Sequence, residues 1–126
     1  MVGLIWFVQI VHYPLMHNVS EQEFANYSQL HQRRTFFAVL PMLLEGLTGG
    51  ALLFSAPYQH SPLYWTAFAL MMIHFSSTAF LQVPCHQKLL AGYDKAVVTR
   101  LVRTNWIRTI AWTLRAVLLA VIAGQS

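Results

Sequence analysis

Four long apolar runs, at about 2–19, 35–57, 62–83 and 102–123, alternate with short polar stretches along the 126 residues. A bilayer core takes about 20 mostly apolar residues per helix, so each run has the length of one span. Residues three, four and seven apart share a helix face, and each run carries one polar stripe on that spacing. The stripes are Gln9 and His12 with Tyr13 adjacent, then Pro41, Glu45 and Thr48. Next come His74, Ser77 and Thr78 with Gln82 near, and last Asn105, Arg108, Trp112 and Arg115. Lipid-facing polar groups are not tolerated, so the stripes must face one another. The pattern predicts an all-α, integral-membrane, antiparallel four-helix bundle, one domain over residues 1–126.

Local signals add detail. Ser20 with Glu23 has the pattern of a capping box, and Phe24, Tyr27, Leu30 and His31 lie on one helical face. A short amphipathic helix at the membrane surface is expected between the first two spans. Pro57 and Pro62 bracket a tight turn. Pro84 should end the third helix, because the residue before a proline is pushed out of helical geometry, while Pro14 and Pro41 should kink their spans. Gly46 and Gly50 form a small-xxx-small pair for close helix packing. Interfacial belts explain Trp6, Tyr58, Tyr64 and Trp65 on one side and Tyr93 and Trp106 on the other.

Composition agrees with this class: 56% hydrophobic and 10% charged residues lie far from soluble-domain usage. The formal charge of +4 reflects topology rather than nucleic-acid binding. Arg33 and Arg34 precede the second span, and Lys88, Lys95, Arg100 and Arg103 lie between the last two, whereas residues 56–62 carry no Lys or Arg. The positive-inside rule puts the first and third connections in the cytoplasm and both termini on the outer side of the inner (plasma) membrane. The first run has no basic residue before Arg33 and lacks a signal peptide's charged start, so it is expected to stay as a span. It begins at Met1 and is barely long enough to cross, which leaves room for a start further upstream. With Cys85 alone, no intrachain disulfide is possible, and a structural thiol is the simplest reading.

Depth turns the stripes into a site. Counted at about 1.5 Å per residue, Glu45 falls near mid-bilayer, where a carboxylate marks function by default. His12, His74 and Arg108 fall in the cytoplasmic half, with Asn105 nearer that surface and His31 and His86 in the flanking segments. A cavity open to the cytoplasm or inner leaflet is expected, floored by Glu45 and Arg108. The plainer alternatives are a buried Glu45–Arg108 ion pair, Arg115 as the partner of Glu45 instead, and His74 as a hydrogen-bonded core residue.

Several chemistries fit these residue types. Imidazole and carboxylate from facing helices are metal ligands in bundles, and His12, His31, Glu45, His86 and Asp94 are candidates, although no Glu-x-x-His or His-x-x-x-His spacing occurs. His12 and His74 lie on different helices and could hold a haem; His74 and His31 are the wider cofactor candidates, for haem or quinone. Without metal, Glu45 or His12 would act as general base on a lipophilic substrate while Asn105 and Arg108 hold an oxyanion.

The stretch Arg103-Thr104-Asn105-Trp106-Ile107-Arg108-Thr109 resembles the start of the last helix in the anthrone oxygenase-like family of small four-helix membrane proteins. Trp6 in the first helix, a Pro-containing turn and the buried Glu45 are similar in layout. The resemblance implies oxygen-dependent oxidation of a hydrophobic aromatic or quinol-like substrate, with Asn105 and Arg108 carried over. The leading expectation is therefore a membrane oxidoreductase, oxygenase-like, acting on a lipophilic small molecule. Its rival is a non-catalytic small subunit of a respiratory or photosynthetic complex, stabilising it or holding a quinone, pigment or lipid. A homo-oligomer or a proton path is also compatible with the pattern.

Overall fold

The computed structural model describes residues 1–55 and 58–125, and these form four helices with no strand among the described residues. We label them α1 (residues 2–18), α2 (Glu21–Leu52), α3 (Pro62–Leu89) and α4 (Lys95–Gln125). The last three are long and apolar enough to cross a membrane, and α1 is shorter. Pro57, expected at the mouth of the α2–α3 turn, lies outside the described residues.

Helix starts follow local chemistry. Asp94 Oδ1 accepts from the backbone N–H of Ala96 at 2.8 Å and of Val97 at 3.1 Å, satisfying two donors at the start of α4 that the helix cannot pair itself. Asp94 thus serves as a cap, and among the described residues it joins no group of three His, Cys, Asp or Glu side chains. Ser61 accepts from the Tyr64 N–H at the start of α3. Ser20 is the residue before α2, as its pattern predicts, but its side chain makes no capping bond. Gly92 turns the chain between α3 and α4 at φ +138°, a region that residues with a Cβ seldom enter.

Two expected boundaries are absent. The segment after Ser20 is no separate surface helix, since α2 runs unbroken from Glu21 through Pro41 to Leu52; no glycine or proline interrupts residues 21–40. Nor does Pro84 end the third helix, which continues to Leu89. A wide π-type turn at Thr78–Gln82 precedes it, the Val83 N–H reaching back to Thr78 O. Helix α1 repeats the device: Val8–His12 is a wide turn, Tyr13 N–H bonds Val8 O, and Pro14 follows. A proline ring inside a helix clashes with the carbonyl four residues earlier. One extra residue in the preceding turn relieves that clash and lets the helix go on.

Packing gathers into two clusters. Tyr13, Met16, Phe24, Cys85, Leu89, Val98 and Leu101 fill the end where α1 meets α2 and α3 meets α4, so Cys85 is a core residue. Further along, Ile5, Met42 and Trp112 pack together with Met1 and Phe75 against them. Met1 therefore sits beside the middle of α2 and α4, and α1 covers one half of the bundle. That placement overturns the expected aromatic belts for two residues. Trp6 and Trp106 are in edge contact at 5.7 Å rather than on opposite sides, and Trp6 donates to Thr113 Oγ1.

The close approach of α2 and α3 also differs from the expected glycine pair. A Cβ on Gly46 would stand 2.8 Å from the Phe75 ring, and one on Gly49 3.1 Å from Met71 Sδ, while Gly50 faces open space. Gly46 and Gly49 are the contact residues.

Candidate functional site

Helices α1 to α4 enclose a cavity of about 410 Å³, bounded by Tyr13 of the first cluster and by Ile5 and Trp112 of the second. Its walls are mostly apolar, with Leu4, Val8, Phe36 and Val39 among them, and its polar groups gather towards the α1–α2 connection. A concave, mainly apolar pocket of a few hundred Å³ with a few convergent polar groups is the usual form of a small-molecule site.

Both wide turns border this cavity. His12 ends the first and Gln82 the second, and both residues line it. His12 Nε2 lies 3.0 Å from His31 Nδ1, so one ring donates to the other. His31 also stacks on His86 at 5.2 Å between centroids, and Thr35 Oγ1 lies 3.2 Å from its Nδ1. His86 Nε2 is 3.1 Å from the Tyr13 hydroxyl, and its backbone carbonyl accepts from Gln32 Nε2. The three histidines come from α1, α2 and α3. Among the described residues no group of three His, Cys, Asp or Glu side chains converges as a metal site, so the cluster is a hydrogen-bonded stack.

Arg108 enters from α4. It is 7% exposed and lines the cavity, with its guanidinium beside Tyr13. Nη1 donates to Asn105 Oδ1 at 3.3 Å, and Nε has no partner. Asn105 lies behind it, fully buried, and donates to Gln9 Oε1 at 2.9 Å, while Gln9 Nε2 donates to Val102 O. The carried-over pair thus divides into two roles: Arg108 reaches the cavity, and Asn105, with Gln9, holds Arg108 in place. On α3, Ser77 donates to Gln82 Oε1 and Gln82 to Thr104 Oγ1, which fixes the other wall.

Glu45 and His74 do not join this group. Glu45 is ion-paired with Arg115 and accepts from Trp112 Nε1; it does not line the cavity. Trp112 and Arg108 form the floor expected of Glu45 and Arg108. The reason is axial position: Glu45 on α2 lies level with Arg115, two turns beyond Arg108. His74 sits behind the Trp112 ring at 3.7 Å between centroids, with Nε2 3.0 Å from Met42 Sδ and Nδ1 unpartnered. Trp112, not a cofactor-sized gap, separates it from the cavity, so a haem shared by His12 and His74 has no place. Gln32 is a site residue that the sequence reading did not single out, and Tyr13 and Gln82, placed on the polar stripes, were given no role there. Tyr13 and Gln82 carried a signal, since each lies within two residues of a proline in an apolar run.

Comparison with protein-family models, with curated proteins and with solved structures gave no match.

Proposed function

We propose that this chain crosses the inner (plasma) membrane as an antiparallel four-helix bundle and works there as an oxidoreductase, oxygenase-like, on a lipophilic aromatic or quinol-like substrate. Several observations support the membrane setting. Large apolar side chains face outward on α2, with Phe37 67% and Leu47 71% exposed, as hydrocarbon solvent would require. Gln82 late in α3 meets Thr104 early in α4, and His74 earlier in α3 meets Trp112 further along α4, the order that antiparallel neighbours have. The basic residues of the first and third connections support a cytoplasmic location for that end.

The cavity carries the functional reading. Its apolar walls suit the body of a hydrophobic ring system, and its polar end offers the groups that acid–base chemistry on a hydroxyl needs. A neutral imidazole accepts a proton through its free ring nitrogen, so His31 or His86 would remove the proton of the substrate hydroxyl. The guanidinium of Arg108 and the Tyr13 hydroxyl would hold the oxyanion formed. That electron-rich anion is the species dioxygen would oxidise, in keeping with the anthrone oxygenase-like resemblance. Glu45 has no part in this scheme because Arg115 and Trp112 hold it elsewhere.

Dioxygen uptake by the purified protein in nanodiscs, with an anthrone or a quinol supplied, tests this reading. Turnover that falls by roughly a hundredfold or more in His31→Ala or His86→Ala, the usual scale for losing a general base, supports it. A protein that retains a quinone, pigment or lipid without turnover, or that is recovered only within a larger assembly, is instead the non-catalytic subunit.

A further inference from the structure

The geometry points to a cavity occupant that carries a negative charge at its polar end: an amphiphile with a carboxylate or similar oxyanion on an apolar body, paired with Arg108. This rests on the same cavity as the function proposed above and narrows what enters it.

Arg108 is more than nine-tenths buried and faces the cavity, yet among the described residues no carboxylate meets it. The side chains lining the cavity include no Asp or Glu. Glu45, the acidic residue of the apolar runs, is taken by Arg115. What touches Arg108 is neutral: the Asn105 amide oxygen and the Tyr13 hydroxyl. Its Nε–H finds no acceptor at all. A guanidinium offers a planar fork of donors matched to a two-oxygen anion, and burial without a counter-charge is strongly unfavourable. An anion presented from the cavity would supply both the charge and the acceptor. Tyr13 and Gln82 stand at the same end of the cavity, while the walls beyond suit an apolar tail.

An isosteric ligand series on the unaltered protein tests this. In phosphatidylcholine nanodiscs at alkaline pH, 4-dodecylbenzoate, its methyl ester, 4-dodecylbenzyl alcohol and 4-dodecylbenzylamine compete against radiolabelled 4-dodecylbenzoate. The carboxylate is expected to bind roughly tenfold to a hundredfold tighter than the ester or alcohol, the range of a hydrogen bond to a charged group. Arg108→Met should abolish that preference and Arg108→Lys keep part of it. Equal affinity for acid and alcohol, preference for the amine, or a preference that survives in Arg108→Met each overturns the inference. Equal binding with quinol turnover intact would leave the proposed function standing. Loss of all binding together with absent turnover would remove both. Adding phosphatidylglycerol to the discs identifies the source of the anion. Competition that requires Arg108 assigns it to a bilayer lipid, and no competition assigns it to a single-chain amphiphile.

Discussion

Arg108 and Arg115 stand two turns apart on one face of α4, both buried, and they end in opposite electrostatic situations. Arg115 is neutralised by Glu45, and the Trp112 indole completes the carboxylate's hydrogen bonding. Arg108 has an amide, a hydroxyl and an unused donor. The half of the bundle around Arg115 is closed by pairing within the protein. The half around Arg108 is where α1 joins, where both wide turns lie, and where the cavity opens. One charge serves the scaffold and the other is left for something outside it.

The sharpest way to break this contrast is to take Glu45 away. Glu45→Gln should leave Arg115 buried and unpaired and lower unfolding stability by up to about 3 kcal/mol, near the bottom of the range for breaking buried pairs, because Glu45 is 28% exposed. Thermal unfolding in detergent reads this. An unchanged midpoint would mean the two arginines are equivalent after all. The double variant Glu45→Gln/Arg115→Met should recover much of the loss, since removing both charges leaves none stranded; strictly additive losses would argue against direct coupling.

Glycine substitutions examine the packing beside the ion pair. Gly46→Ala drives a methyl into the Phe75 ring and should cost about 1–3 kcal/mol, as overpacking does. Gly50→Ala meets open space and should instead stabilise by roughly 0.5–1 kcal/mol, the helical preference for alanine. The two variants moving the same way in a melting experiment would refute the contact assigned to Gly46. The smallest effect is expected for Arg108→Met, within about 1 kcal/mol of the parent, because an apolar side chain replaces a charge that had no carboxylate to lose. A collapse in stability there would show Arg108 to be structural.

How much of this was readable beforehand depends on the kind of information. Start positions held where they act locally, Ser20 preceding α2 although its side chain makes no capping bond. The polar stripes of α1, α3 and α4 turn inward at Gln9, His74, Gln82, Asn105, Arg108 and Arg115, whereas Pro41 and Thr48 of the α2 stripe stay exposed. Stop signals did not hold. Pro84 reads as a terminator by the conformational preference of its predecessor, yet the wide turn at Thr78–Gln82, closed by the Val83 N–H on Thr78 O, carries the helix past it. The glycine pattern placed the close approach at Gly46 and Gly50, and the structure moves the second contact to Gly49, since residues three and four apart both neighbour on a helix face and the spacing alone does not choose between them.

Amino-acid order alone determined the helical class, the apolar length of α2, α3 and α4, with α1, read as a fourth span, shorter, and the inward polar faces of α1, α3 and α4. Those properties follow from composition and a period of 3.6 residues, both local to one helix. Tertiary structure decided the partners. A seven-residue step along α4 is about 10 Å, and the axial slide of α2 against it determines whether Glu45 meets Arg108 or Arg115. Periodicity carries no record of that slide. The docking of α1 over one half, the stacking of His12, His31 and His86 from three helices, and the unpaired charge of Arg108 all follow from it.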